Sequence, residues 1–367
     1  MKEREHIYYF DYLRILGLCS VIFMHAASGP LRGELNQDWQ FLNFGTSLAF
    51  TAVPLFLMMS GYLLLSDEKT LDIGVLLRKR LPRLVVPLVF WTVAASVWLV
   101  YRNGDVTVQA FAGHLISAFK GPVMVHFWYM YTMIAIYLIS PLLCSGLRGL
   151  DQKGKLLVFV LIALVSVQAM CRQLLPAFID QYINFDIINK MQFLSSHLCT
   201  FLLGYYLGSS KRTVPNWLLV GLIVLCLAGI TFGTYTLTSL HGWYDQTLQD
   251  QSAGCEILLA SCIFLFCKQN LGKKAPRLHH ILRPLVSLSL PIYLAHNIVL
   301  SILFQVGFTA EVFWDTLGVA SLTLLICLLV TMAITYIPPL CFLVNGLSTA
   351  SARVCCRWRV RKKEPVR

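Results

Sequence analysis

Apolar runs, most of them close to twenty residues long, recur along the whole chain and are separated by short polar segments. An α-helix of about 20 apolar residues spans the hydrocarbon core of a bilayer. The pattern therefore predicts an all-α, polytopic membrane helix bundle with about ten transmembrane helices. The predicted spans are 10–28, 44–65, 81–101, 127–146, 155–175, 193–208, 215–236, 253–270, 285–307 and 317–343.

Basic residues are distributed unevenly between the two sides of this predicted bundle. The side that carries both termini holds 24 of the 30 Lys and Arg residues, and the opposite side holds five. Cytoplasmic loops of membrane proteins carry the excess of Lys and Arg, so both termini are predicted to be cytoplasmic. We expect one transmembrane domain over residues 1–345 and a basic cytoplasmic tail over 346–367.

The net charge of +12 is explained by this topology together with attraction to anionic lipid. Membrane lipid is therefore an expected partner and nucleic acid is not, although a specific partner for the tail stays open. The sequence carries no signal for an oligomeric state.

Ionisable residues inside the first span need an explanation, because only 13% of the chain is charged and such groups are costly in a bilayer. The segment YFDYLRILGLCSVIFMHAAS contains Asp11, Arg14 and His25. Arg14 and His25 are eleven residues apart, which places them on one helix face, about 16 Å apart along the axis. Asp11 is positioned to pair with Arg14. Two other interpretations stay open: Arg14 snorkels to the headgroups, or His25 hydrogen-bonds a neighbouring helix.

A second basic cluster, RKRLPRLVVPLVFW, leads into the third span and places Arg80 and Arg83 on one helix face. Two guanidinium groups at a membrane entrance suit a phosphorylated ligand, because each can hold phosphate oxygens in a bidentate manner. The alternative is an ordinary basic flank of a transmembrane helix.

Further polar groups fall in the half of the membrane that contains His25. His126 and Trp128 begin the fourth span, Glu256 lies just inside the eighth, and His296 lies about eleven residues into the ninth. These depths predict that His25, His296 and Glu256 converge on one cavity.

The second span contains a proline in the stretch VPLFLMMSGYLL. Pro54 predicts a kink or an opening in the helix, since proline removes one backbone donor and clashes with the preceding turn. Ser60 and Tyr62 follow toward the cytoplasmic end. Such positions serve helix packing or ligand contact, and the sequence leaves both open.

Together these segments resemble the acyltransferase-3 family of integral-membrane O-acyltransferases, which modify bacterial cell-surface sugars. The resemblance rests on Arg14-x10-His25, on PLFLMMSGYLL, on Arg80-x-x-Arg83, on HFWYMYTMIAIYLISPLL and on YLAHN, in the family's order and over nearly the whole chain. No hydrolase-like domain follows the membrane part, so a stand-alone member is expected. Its size is similar to that of the type of member that acetylates the enterobacterial common antigen.

The resemblance implies acetyl-CoA as a cytoplasmic acyl donor and a glycan or lipid-linked saccharide as acceptor outside the bacterial inner membrane, with no metal. It leaves open whether His25 is a general base or carries the acyl group. A secondary transporter or flippase is the main alternative, but it would be expected to show a sequence repeat, and none is found. A non-catalytic scaffold would not explain why a membrane span contains Arg14 and His25, whose placement in a bilayer costs free energy. The implied residues are His25 and Arg14 for catalysis, Arg80, Arg83, Ser60 and Tyr62 for the cofactor, and His126, Trp128, Glu256 and His296 for the substrate.

Overall fold

A computed structural model of the protein describes residues 6–174, 196–271 and 276–346. All regular secondary structure within these ranges is helical. The main helices are α1 Tyr8–Ala27, α2 Gln37–Ala49, α3 Ala52–Leu65, α4 Pro82–Arg102, α5 Val108–Ser117, α6 Trp128–Gly149, α7 Gln152–Leu174, α8 Ser196–Ser209, α9 Asn216–His241, α10 Gly254–Leu271, α11 Pro276–Ser287, α12 Ser289–Gln305, α13 Phe313–Thr335 and α14 Pro338–Asn345.

The helical membrane bundle is confirmed. Seven helical stretches in the described residues are long and apolar enough to cross a membrane, and α12 is apolar but has only 17 residues. The helices α7 and α8 coincide with two further predicted spans, of which residue 175 and residues 193–195 lie outside the described ranges. The count of ten and the cytoplasmic termini stay predictions, and the tail beyond residue 346 lies outside the described residues. The seven stretches are Tyr8–Ala27, Gln37–Leu65, Ile73–Arg102, Val125–Gly149, Asn216–His241, Gly254–Leu271 and Phe313–Thr335.

The predicted interruption at Pro54 is confirmed. Helix α2 ends at Ala49 and α3 begins at Ala52, so the break falls immediately before the proline. The proline ring would clash with the carbonyl of residue 50 in a continuous helix and offers no N–H to it. Within the break, the Thr51 hydroxyl donates to the carbonyl of Leu48 at 2.7 Å. The second predicted span is therefore interrupted by the two residues Phe50 and Thr51.

Helix α1 occupies the centre of the bundle, where it contacts α2, α3, α10, α11, α12 and α13. These neighbours leave Asp11, Leu13 and Leu18 almost completely buried, whereas Cys19 of the same helix is exposed. The polar stripe of α1 therefore lies inside the protein and not against lipid.

Helices α3 and α8 pack backbone to backbone through two glycines. A Cβ atom on Gly61 would lie 1.8 Å from the Phe201 carbonyl oxygen, and one on Gly204 would lie 2.2 Å from the Met58 backbone. Small residues allow this approach in membrane helices. This contact fixes α3, which carries Ser60 and Tyr62, in the bundle.

Candidate active site

Three histidines from three separate segments meet at one end of the bundle, which we call the histidine end. His25 is in the last turn of α1, His126 in the short 3-10 turn Val125–Phe127, and His296 in α12. The centroid of the His25 ring lies 5.9 Å from that of His126 and 5.2 Å from that of His296. The centroids of His126 and His296 are 4.5 Å apart. The predicted convergence of His25 and His296 is confirmed.

Hydrogen bonds assign the protons on two of these rings. Nδ1 of His296 lies 2.5 Å from the carbonyl oxygen of Tyr293. A carbonyl only accepts, so Nδ1 carries the hydrogen and Nε2 keeps its lone pair in the neutral ring. That Nε2 atom is buried and has no hydrogen-bond partner among the described residues. It is an unused acceptor on the ring next to His25.

His126, in contrast, uses both of its ring nitrogens. Nδ1 accepts from the amide of Asn297 at 2.8 Å, and Nε2 faces the carbonyl of Leu294 at 3.3 Å. The Tyr293 hydroxyl donates to the main-chain carbonyl of His126. His126 is therefore held in place by α12 and has no free lone pair for proton transfer.

Two cavities adjoin His25, and both are lined by His25 and Ser28. The first, which we call the capped cavity, has a volume of about 240 Å³ and is also lined by Trp128, Tyr244 and Gln246. Its lining contains no Asp, Glu, Lys or Arg among the described residues. The second, which we call the Arg102 cavity, has a volume of about 560 Å³. His25 is therefore accessible from two sides.

The segment 242–253 covers the capped cavity. Its Gln249 is completely buried and donates to Asn43 Oδ1 at 2.7 Å and to Ser47 Oγ at 2.8 Å, both on α2. The Tyr244 hydroxyl donates to Gln249, and burial raises the pKa of Tyr244 to about 12. A buried amide thus anchors this loop and holds Tyr244 in the lining of the capped cavity.

A carboxylate stabilises the same loop. Burial opposes ionisation of Asp245, but hydrogen bonds from Thr247 and His241 outweigh it and hold the pKa of Asp245 below its ordinary value. The Thr247 N–H donates at 2.8 Å, and His241 Nδ1 lies 2.7 Å away. The loop is therefore more firmly held when Asp245 is ionised.

Glu256 does not join the histidines, and that part of the predicted convergence is wrong. It is completely buried in α10, where it interacts with Asp250 and Cys226. Neither carboxylate oxygen has a hydrogen-bond partner within the described part of the chain. A depth in the membrane fixes only one coordinate, and Glu256 lines neither cavity at His25, although it acts electrostatically on Tyr244 of the capped cavity.

The other end of the bundle, which we call the arginine end, gathers three arginines around one tyrosine. Arg14, Arg80 and Arg83 all act electrostatically on Tyr137 of α6. Arg14 also interacts with Asp11, as the spacing predicted. Arg14 of α1, Arg83 of α4 and Arg80, just before α4, thus belong to a single cluster.

The two arginines of the Arg-x-x-Arg signature are in different environments. Arg80 Nη2 lies 2.5 Å from Asp67, and Arg80 Nη1 donates to Thr70 at 2.6 Å. The preceding π-helix, Leu76–Arg80, aims this side chain at the turn that contains Asp67 and Thr70. Arg83 is exposed and has no carboxylate partner among the described residues. No sequence pattern predicted the contact between Arg80 and Asp67.

Tyrosines connect the two ends inside the bundle. Tyr137, Arg14 and Ser60 all act on the hydroxyl of Tyr129. The Tyr129 ring lies 5.8 Å from that of Tyr293, which lines the capped cavity. Sequence reasoning missed Tyr129, Tyr137, Tyr293 and Asn297. For Tyr293 and Asn297 a signal existed, since their spacing of four residues places both on the face of α12 that meets His126.

The remaining two predicted residues have packing contacts. Tyr62 packs against Phe10, with ring centroids 5.7 Å apart, and against Gly208. Trp128 lines the capped cavity and contacts the ring of His197 at 5.2 Å. The structure therefore places Trp128 near His25, and Tyr62 among the helices of the arginine end.

These features define a helical membrane protein with a histidine site beside two cavities and an arginine cluster elsewhere in the bundle. The family model for an acyltransferase domain matches residues 7–336, and the chain belongs to this family, the acyltransferase-3 family. Membership indicates a membrane acyltransferase. No curated protein and no solved structure matched the chain.

Proposed function

We propose that the protein is a membrane O-acetyltransferase of the bacterial inner membrane, of the stand-alone type that acetylates surface glycans such as the enterobacterial common antigen. It takes the acetyl group from cytoplasmic acetyl-CoA and transfers it to a hydroxyl of a cell-surface or lipid-linked glycan on the outer side. The observation that carries the proposal is that α1 joins an arginine cluster at one end to a histidine cluster at the other. Tyr137, Tyr129 and Tyr293 lie between the two clusters.

Arg83 and Arg80 are proposed to bind the phosphates of CoA. Arg83 is exposed at the start of α4 and available to an anion. Arg80 uses one donor for Asp67 and one for Thr70, and a guanidinium has five N–H donors, so three remain. Asp67 and Thr70 thereby orient the Arg80 side chain. Ser60 and Arg14 line the route by which the thioester reaches the histidine end.

At the histidine end, His25 is proposed to act as general base. It takes the proton of the acceptor hydroxyl as the oxygen attacks the thioester carbonyl carbon, the carbon–sulfur bond breaks, and the proton passes to the CoA thiolate. The second candidate is that His25 itself attacks the thioester and carries the acetyl group, which the acceptor hydroxyl then removes by attack on the acetyl carbonyl carbon.

His296 is proposed as the positioning residue for His25. His296 Nε2 has no hydrogen-bond partner among the described residues and belongs to the ring next to His25. The proposed role is that this lone pair accepts a ring N–H of His25 once the acceptor is bound, which leaves the other His25 nitrogen unprotonated toward the acceptor. Trp128 and His126 shape the acceptor side. Glu256 is removed from this site by its position in α10.

The test is mass spectrometry of surface glycans from a deletion strain complemented with wild-type protein, His25→Ala or His114→Ala. His114 lies in α5, outside both cavities, and serves as the matched control. We expect an acetyl group that disappears on deletion, returns with wild type and His114→Ala, and stays absent with His25→Ala at equal membrane expression. A transporter or flippase would change the amount of glycan at the surface and leave its acetylation unchanged. Full acetylation with His25→Ala would refute the catalytic role.

A further inference from the structure

The Arg102 cavity differs from the capped cavity in its chemistry. It is lined by His25, Ser28, Arg102, Asn297, Ser301 and Gln305, together with three apolar side chains. Its volume of about 560 Å³ lies within the range of about 300–1,000 Å³ that is usual for ligand sites. Among the described residues neither cavity is lined by Asp or Glu, so the charge of Arg102 is not neutralised locally.

A polar stripe on α12 forms one wall of this cavity. Asn297, Ser301 and Gln305 follow each other at intervals of four residues, which keeps them on one side of the helix over about 12 Å. The stripe begins at the hydrogen bond between Asn297 and His126, and so starts in the histidine cluster. It ends at the last residue of α12. A hydrophilic ligand would find hydrogen-bonding groups all along this wall.

Arg102 is held over the middle of the stripe. Its Nη1 donates to the Ser301 hydroxyl at 3.3 Å, and the indole N–H of Trp98 donates to the same hydroxyl at 3.1 Å. Ser301 is four residues beyond Asn297, which is about 6 Å along the helix. The guanidinium keeps its other donors free for an anion.

We propose that the Arg102 cavity binds an anionic group of the acceptor, a sugar carboxylate or a phosphate, while the hydroxyl to be acylated lies at His25. This inference rests on the proposed function and adds a substrate class to it. A guanidinium binds carboxylate and phosphate oxygens in the same bidentate manner, so the two sources share one site. The uncharged capped cavity, on the other side of His25, accommodates a neutral part of the same saccharide.

Thermal unfolding of the full-length protein in detergent tests this with glucuronic acid, glucose 1-phosphate and neutral glucose as probes. We expect at least one anionic probe to stabilise the protein more than glucose does. Arg102→Gln should weaken the binding of that probe by about tenfold or more, as expected for loss of a hydrogen bond to a charged group. Added salt should weaken it as well, because Arg102 is exposed.

Arg32→Gln is the matched control, since Arg32 is an exposed arginine at the same end that lines neither cavity. Stabilisation by glucuronic acid alone assigns the site to an acidic sugar, and by glucose 1-phosphate alone to a phosphate. Equal stabilisation by glucose, an undiminished effect in Arg102→Gln, or no stabilisation by any probe overturns the proposal. Glycan acetylation by the same variants is measured separately, so absence of acetylation by the wild type refutes the enzyme function and not the anion site.

Discussion

Replacing Asp67 by Asn tests how the arginine end is organised, because two lines of reasoning predict opposite results. Asp67 is the partner of Arg80 at 2.5 Å, with side-chain exposures of 11% and 16%. If only net charge mattered, removing a carboxylate would strengthen binding of the anionic CoA. If Asp67 orients Arg80, its removal weakens that binding.

The size of the stability effect follows from the burial of the pair. A hydrogen bond to a charged group contributes about 1.5–3 kcal/mol, and breaking a fully buried pair costs about 3–5 kcal/mol. Because this pair keeps some exposure and Thr70 still accepts from Arg80, we expect a loss of about 2 kcal/mol. The Thr70 hydroxyl in turn donates to the Leu64 carbonyl at 2.5 Å, so the loss should reach the end of α3.

The assay is unfolding in detergent with and without acetyl-CoA, for wild type, Asp67→Asn and Asp72→Asn. Asp72 carries the same charge on the same loop, but it is exposed and accepts from the Val75 N–H, which Asn can also satisfy. We expect lower stability and weaker stabilisation by acetyl-CoA for Asp67→Asn alone. Unchanged stability, or tighter acetyl-CoA binding, would refute the orienting role.

Three further predictions concern the histidine end and the packing of the bundle. His296→Phe keeps an aromatic ring at this position and removes the lone pair of the imidazole. Turnover should fall at least about tenfold, which is less than the loss of about 10²–10⁴-fold expected for a general base. The KM for acetyl-CoA should be unchanged, and an unchanged turnover contradicts the positioning role. Gly204→Ala places a methyl group 2.2 Å from the Met58 backbone and should destabilise the protein by about 1–3 kcal/mol. The control is Gly221→Ala, whose methyl group meets nothing within 4 Å and should leave stability unchanged. Equal melting temperatures of the two variants would refute the close α3–α8 contact. The pKa of Asp245 is lower in the folded protein than in the unfolded chain. Its contribution to the free energy of unfolding is therefore fully present above the unfolded pKa of about 3.9 and is lost as the pH falls through the folded pKa. Melting curves from pH 7 downward should show this loss in wild type and not in Asp245→Asn.

The sequence predicted what depends on helical periodicity. Arg14 and His25 share a helix face by spacing alone, and the depths of His25 and His296 brought two helices to the same level. The break before Pro54 followed from the chemistry of proline. The family was recognisable from the order of its signatures, and the family match confirmed it.

What the sequence did not predict depends on rotation and on loops. Glu256 was expected at the depth of the histidines, but depth does not specify which neighbours a helix turns its side chain toward, and Glu256 lines neither cavity at His25. The pairing of Arg80 with Asp67 joins a helix start to a loop thirteen residues earlier, and no periodic pattern encodes it. The sequence suggests that Gln249 is an exposed polar loop residue. In the structure it is completely buried, and its amide donates a hydrogen bond to Asn43 on α2.

The central claim is that the acyl group enters at the arginine end and is used at the histidine end, across the membrane. Inner-membrane vesicles that contain the native acceptor test it with radiolabelled acetyl-CoA, which does not cross the bilayer. Inside-out vesicles, whose cytoplasmic face is exposed, should label the glycan, and right-side-out vesicles should not. His25→Ala should abolish the labelling, and His114→Ala should leave it. Equal labelling in right-side-out vesicles, or labelling by His25→Ala, would contradict the account.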